Sequence, residues 1–237
     1  MLHTTRAVVL KTIRHGDNTV IVKAFAEQLG VRSFLVRTGK KKGASAASLQ
    51  PLSRVELVAD EHAERDLIMV RELRMERPFL AVTFDPVRAT LALFVQEVLY
   101  KVLHGEAADP DLYAFVEEAL EAMDTVPDIR NFPLVFLVRL SGHLGFRPSP
   151  PGLGQDRFDL REGEFVRGAA PHGHTLGPVL SQHLAALLPI EFASLPGPLI
   201  PTAQRRELLD HILLYFRMHV EGLGELRSPA VLQQVLG

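Results

Sequence analysis

Four groups of residues are of types that do chemistry. His172-Gly173-His174 presents two imidazoles, the donor type for a metal or a general base. They sit in a Gly/Pro-rich stretch, and no acid or cysteine stands at the helical spacing that an HExxH-type site needs. Two loop histidines are the simpler reading, and a metal-dependent hydrolase built on His172 and His174 is the sharper alternative. Asp60, Glu61, Glu64 and Asp66 gather four carboxylates, but on a strand connection they read as a solvated turn. Ser141-Gly142-His143 lacks the Gly-x-Ser-x-Gly elbow of a nucleophilic serine. No Gly-x-x-x-x-Gly-Lys-[Ser/Thr] loop or strand-linked Gly-x-Gly-x-x-Gly occurs, so nucleotide hydrolysis and dinucleotide chemistry lack support. The chain has no cysteine, which excludes disulfides, thiolate zinc sites and cysteine nucleophiles.

The fourth group is cationic. Gly39-Lys40-Lys41-Lys42-Gly43 sets three ammonium groups in a row between glycines. They repel one another and stay in water, where they suit a polyanion. A solvated lysine run is the competing reading. The wider distribution adds weight. Residues 1–55 hold ten basic groups against two acidic ones, so with a whole-chain charge of -2 the remainder carries a net −10. Such asymmetry points to a nucleic-acid or membrane surface on the basic part. Lys11, Arg14, Lys23, Arg32, Arg37 and Lys40–Lys42 are the candidate phosphate contacts.

The elements that carry these cations read as strands. Ala7-Val8-Val9-Leu10-Lys11-Thr12-Ile13-Arg14 and Thr19–Phe25 are β-branched runs flanking the turn residues His15-Gly16-Asp17-Asn18, which predicts a hairpin. Val31–Arg37, Val55–Val58 and Asp66–Leu73 complete five strands within residues 4–77. Strands this short, joined by tight turns, predict a small closed barrel, of OB or SH3-like type. Strand side chains alternate, so Lys11, Lys23 and Arg37 can point outward while apolar neighbours point in.

At Asp85-Pro86 the period changes to that of a helix, with Asp85 as N-cap and Pro86 at N1. That helix runs to about His104, with Gly105 as its stop. Asp109-Pro110 opens a second. A third, from about Arg130 to Leu144, is apolar nearly all round and is expected at the centre of a helical core, with Gly145 ending it. Residues 146–175 are rich in Pro and Gly and contain a small hairpin, Arg157–Leu160 with Glu164–Val166. Helices resume near Gly177–Leu188, after Thr202 and at Ser228-Pro229. The expected class is α+β: an all-β barrel domain at 1–80 and a helical domain at 81–237. Met1–Arg6 has no apolar signal-peptide core, and runs such as Leu134–Val138 fall far short of the ~18–20 residues that span a bilayer. A cytoplasmic protein with no membrane partner is expected.

An ordered set of residues now resembles the RecO family of bacterial DNA repair proteins. It comprises Ala7–Lys11, Gly16-Asp17-Asn18, Val20-Ile21-Val22, Glu27-Gln28-Leu29-Gly30, Gly39–Lys42 and Leu49-Gln50-Pro51-Leu52. Downstream, Phe94–Leu99, Leu144-Gly145-Phe146, Tyr215–His219 and Leu226–Pro229 extend it over the whole chain. The resemblance implies an N-terminal OB-fold and a helical C-terminal domain. It implies a non-enzymatic recombination mediator, associated with the nucleoid. Such a protein binds ssDNA and dsDNA and anneals complementary strands coated by single-stranded DNA-binding protein. With RecR it promotes loading of RecA. Many members carry a four-cysteine zinc module after the third helix. This chain has none, resembles a zinc-free branch, and is expected to hold no metal or other cofactor. The family docks the acidic, hydrophobic tail of single-stranded DNA-binding protein on its helical domain. Arg130 and Arg139 are the candidates to meet it, with ordinary surface arginines as the competing reading. The other class left open is a protein adaptor whose basic barrel face binds an acidic partner.

Overall fold

The computed structural model describes residues 2–39, 44–60, 67–103 and 107–236. The five expected strands are present: β1 (Leu2–Arg14), β2 (Thr19–Ala26), β3 (Gly30–Arg37), β4 (Arg54–Asp60) and β5 (Leu67–Arg77). They form a closed barrel in the order β1-β2-β3-β5-β4. Four pairings are antiparallel, and β5 crosses to join β3 in parallel, with Phe34 opposite Ile68. This non-sequential order is the Greek-key arrangement of an OB-fold. Closure leaves no long unpaired edge.

Alternation fills the barrel. Val22, Ala24 and Ala26 of β2, Phe34 and Val36 of β3, Val55, Leu57 and Ala59 of β4, and Ile68 and Val70 of β5 converge on one core. In β1 the alternation breaks. Val9 lies opposite Ala24 but Lys11 lies opposite Lys23, so a bulge at Leu10 switches which parity faces out. The Gln96 side-chain amide donates to the Leu10 carbonyl at 2.7 Å, satisfying a group beside the bulge.

The chain divides into two compact units. The first is Met1–Phe84 with Ala92–Glu117, and the second is Asp85–Leu91 with Glu118–Gly237. The expectation put the boundary near residue 80; the barrel unit runs to Phe84 and also takes in helical segments. Helix α1 (Pro86–Val102) begins as expected: the Asp85 carboxylate accepts from the Val87 and Arg88 amides at 2.8 and 3.4 Å. Its expected stop, His104-Gly105, lies outside the described residues. Helix α2 (Pro110–Thr125) opens with the same device, Asp109 accepting from the Leu112 amide. Within the barrel unit, helical Tyr113 packs on Phe25 of β2 with ring centres 5.6 Å apart. Phe25 and Val8 are wholly buried although their parity faces away from the barrel core. Burial on both faces explains the unbroken apolar run Ala7–Leu10.

In the second unit, α3 (Phe132–His143) buries nine of its residues and is the centre of the helical core. Phe132 stacks on Phe136 and Phe192. The helix starts two residues later than the sequence suggests, and Gly145 closes the turn behind it with φ +86°. Strands β6 (Arg157–Asp159) and β7 (Glu164–Val166) form the expected hairpin. The unit also contains α4 (Pro178–Leu187), α5 (Thr202–His219) and α6 (Ser228–Val235), and the hairpin packs on α4 and α5. Arg88 is buried and donates to the Met123 and Val126 carbonyls at 2.5 and 2.7 Å, satisfying groups at the end of α2.

Candidate nucleic-acid interface

Lys11 and Lys23 stand opposite one another across β1 and β2. Like charges placed directly opposite repel. Here both ammonium groups lie over one ring, each 5.0 Å from the centre of Tyr100, a residue of α1 within the same unit. A ring face attracts cations, so Tyr100 offsets part of the repulsion and holds the two charges together. Continuing the register, Arg37 lies opposite Thr19 on the same outward parity and is exposed. Three of the five described candidate cations, Lys11, Lys23 and Arg37, therefore share one outer face of the barrel.

The other two do not share that parity. Arg14 is opposite Val20, which packs against the core, although as the last residue of β1 it is exposed. Arg32 is opposite Ala24, a core residue; it is half-buried and donates to the Val31 carbonyl at 3.0 Å. Lys40, Lys41 and Lys42 lie outside the described residues, as do Glu61, Glu64 and Asp66. Arg37 also lines an open cleft of about 890 Å³ with Arg71 and Arg74. Those two arginines are ion-paired, with Asp60 at 2.7 Å and Glu72 at 2.9 Å.

Tyr100 is the residue of this candidate site that sequence reasoning missed. It sits in an amphipathic helix pattern, and no local signal marks a half-buried helix position as a seat for cations from two distant strands.

Phe25 shares the outward parity of Lys23 on β2, and around its neighbour Tyr113 the first unit carries a charged cluster of another kind. Arg6 grips Glu27 with two bonds, 2.9 and 2.6 Å, which raises the guanidinium pKa and lowers that of the carboxylate. Arg6 also lies 5.5 Å from the Tyr113 ring centre. Burial raises the Tyr113 phenol, with the nearby Glu117 carboxylate adding to it. Burial likewise raises the Glu117 carboxyl, partly offset by the charge of Arg54. Arg54 is 1% exposed and lies 5.0 Å over the Phe79 ring.

The two arginines considered for partner contact separate. Arg130 is exposed, bonded to both carboxylate oxygens of Asp128, and borders a shallow depression with Pro133, Arg206, Leu209 and Leu232. Arg139 is taken up by Glu118, with two bonds of 2.9 Å, and lies 4.6 Å over Phe192. Arg130 precedes α3 and Arg139 lies within it, and each is held by a different carboxylate.

The histidines also resolve. His172 Nε2 is 3.0 Å from Asp159, and its Nδ1 accepts the His174 amide at 3.1 Å. Nδ1 is thus unprotonated, and Nε2 carries the proton donated to Asp159. The acid partner comes from β6, not from helical spacing, and the Asp159 carboxylate also accepts the Arg161 and Glu162 amides. These bonds tie the hairpin to its loop and use both nitrogens of His172. Among the described residues no three His, Cys, Asp or Glu side chains converge as a metal site would require. The hairpin rests instead on an aromatic cluster, with Phe158 5.0 Å from Phe165 and 5.6 Å from Tyr215. No helix among the described residues is long and apolar enough to cross a membrane.

Comparison with known proteins gives two matching family models, Recombination protein O N terminal over residues 1–79 and Recombination protein O C terminal over residues 83–150. Relatives described as DNA repair protein RecO align over nearly their whole length. The one from Porphyromonas gingivalis is 32% identical over 98% of each chain, and that from Bacteroides fragilis 30% over 99%. The one from Flavobacterium psychrophilum is 27% identical over 98% of each chain.

Proposed function

The chain belongs to the RecO family, and from that premise we propose that it serves DNA repair as a non-enzymatic recombination mediator. In this reading it binds ssDNA and dsDNA through the barrel, anneals strands coated by single-stranded DNA-binding protein and, with RecR, promotes RecA loading. It works in the cytoplasm, at the nucleoid. The observation that carries the reading is the Lys11–Lys23 pair held over Tyr100. Two cations kept adjacent at a cost in repulsion make a seat for phosphate, and an anion there relieves the strain. Contacts of this kind displace counterions and read no base edges, as annealing of arbitrary sequences requires. Offering one cationic face to two strands lowers their mutual repulsion.

The depression beside Arg130 supports the partner side of the reading. Its apolar floor of Pro133, Leu209 and Leu232, rimmed by Arg130 and Arg206, suits a short acidic and hydrophobic tail. Holding DNA near a bound tail makes the second contact intramolecular and adds avidity. Both arginines are ion-paired, but the Arg130 side chain is 55% exposed and that of Arg139 only 20%, so Arg139 has less to offer such a ligand.

The test is a salt series of oligonucleotide binding with Lys11→Glu/Lys23→Glu. Losing two phosphate contacts should weaken single-strand binding and flatten the log–log salt slope by about 1.4. An unchanged slope would remove the pair from the interface. If wild type itself shows no salt-sensitive DNA affinity, the cations serve an acidic protein partner instead.

A further inference from the structure

We infer that the outer barrel face carries a shelf for unstacked bases, formed by Ile13, Ile21, Leu35 and Met69; this rests on the DNA-binding reading above. The register sets the four side by side. Ile13 is opposite Ile21, Ile21 opposite Leu35, and Leu35 opposite Met69. Four neighbouring strands at about 4.8 Å spacing make a row roughly 14 Å long. Its sequence neighbours on β2, β3 and β5, such as Val22, Phe34 and Ile68, face the barrel core, so the row faces away from it. Ile13 is 48% exposed and Met69 43% exposed, while Ile21 and Leu35 are half-buried.

An outer sheet face without a ligand is ordinarily polar. A continuous aliphatic row there marks a contact surface. Its flanks say for what. On one side, two residues along each strand, stands the row Lys11–Lys23–Ser33; on the other, the pair Thr19–Arg37. The surface is thus an apolar strip with cations on both edges. A single DNA strand with its bases turned out is the complement: flat apolar faces in the middle and phosphates beside them. A sheet of four strands elsewhere holds two or three bases on a surface of this scale. Aliphatic side chains contact base faces by dispersion and desolvation, without choosing among bases. In a duplex those faces are stacked inside, so only phosphates reach the sheet. The shelf therefore confers preference for single strands on an otherwise electrostatic surface.

The experiment compares a thymine oligonucleotide with an abasic oligonucleotide of equal length and phosphate number, by fluorescence anisotropy on the full chain. Wild type should bind the thymine strand roughly five- to tenfold more tightly, the low end of what one stacked base contributes. In Ile21→Ser/Leu35→Ser that difference should vanish. Should the double variant fold poorly by circular dichroism, Ile13→Ser at the exposed end of the row should shrink the same difference. Equal wild-type affinity for both strands overturns the shelf while leaving the phosphate contacts standing. Failure to bind either strand overturns the DNA-binding reading itself. If the row variants instead lose only binding to an acidic, apolar peptide, the face is a protein interface and the shelf is refuted.

Discussion

Lys11 and Lys23 face each other across the first hairpin, each ammonium 5.0 Å from the centre of the same Tyr100 ring. The ring belongs to a helix and the lysines to two strands, so the cationic face is a tertiary product and not a property of the barrel sequence alone. Tyr100→Leu removes both cation–π contacts and keeps the apolar bulk. At exposed sites such contacts contribute about 0.5–1 kcal/mol each, so the variant should lose about 1–2 kcal/mol in urea unfolding at low salt. The loss should shrink as salt screens the two lysines.

The three lysines at 40–42 lie outside the described residues, and the expectation for them rests on charge alone. Lys40→Glu/Lys41→Glu/Lys42→Glu should weaken single-strand binding and slow annealing while leaving the circular dichroism spectrum unchanged. If all three touch phosphate, the salt slope should fall by about 2. Wild-type affinity in the triple variant at ~100 mM salt, where the Debye length is ~10 Å, would show that they make no direct contact.

How far the sequence could be read follows from which forces are local. Asp85-Pro86 and Asp109-Pro110 announce two helix starts because capping is settled within four residues. The β-branched runs place β1 to β4 for a similar reason. Strand β5 continues to Arg77, four residues past its expected end, because Arg74, Glu76 and Arg77 offer no apolar alternation and owe their strand geometry to pairing with β4. Non-local events escape the sequence altogether. Simple alternation would put Val9 and Lys11 on one face; the bulge at Leu10 separates them, and the Gln96 bond that accompanies it comes from another element. Arg32 and Arg14 looked equivalent to Lys23 in a charge count, and the register alone assigns them to the other parity. The Asp159 partner of His172 is likewise invisible to any search at helical spacing.

Acid dependence separates two carboxylates of the barrel unit. The Arg6 bonds hold the Glu27 pKa below its ordinary 4.5. A carboxylate lowered in the folded state stabilises above its unfolded pKa, and that contribution fades as pH falls below about 4.5. Glu117 has the opposite sign, because burial raises it and its Oε1 finds no hydrogen-bond partner among the described residues. The ionised form therefore costs stability once pH exceeds the unfolded value. Glu117→Gln should raise the melting temperature at pH 8, and the gain should shrink toward pH 4. Glu27→Gln should lower the melting temperature at pH 8, with a deficit that closes in acid. Parallel pH profiles for both variants would refute the assignment.

Arg88 tests how the second unit is held at the end of α2. Its guanidinium answers two carbonyls, of Met123 and Val126, from a buried position. Arg88→Met keeps most of the apolar stem and leaves both acceptors without this donor. At 1–3 kcal/mol for each buried group stranded, the cost should be about 2–6 kcal/mol in urea unfolding. A loss below about 1 kcal/mol would mean that water replaces the guanidinium.

The turn of the inserted hairpin is the most constrained point of its aromatic cluster. Gly163 has φ +73°, and a Cβ built there would stand 2.8 Å from the Tyr215 hydroxyl oxygen. Tyr215 donates that hydroxyl to the Phe146 carbonyl, and burial pushes its pKa up to about 12, so it remains a donor throughout the neutral range. Gly163→Ala therefore meets two penalties, a left-handed backbone worth roughly 1–2 kcal/mol and a displaced hydrogen bond worth about 1 kcal/mol. The expected loss is about 2–3 kcal/mol by urea unfolding. Tyr215→Phe removes the obstructing oxygen as well as the bond. In that background Gly163→Ala should cost only the backbone term, so the double-variant cycle should show coupling of about 1 kcal/mol. Strict additivity would mean that the hydroxyl moves aside freely, and that the hairpin does not depend on its contact with Phe146.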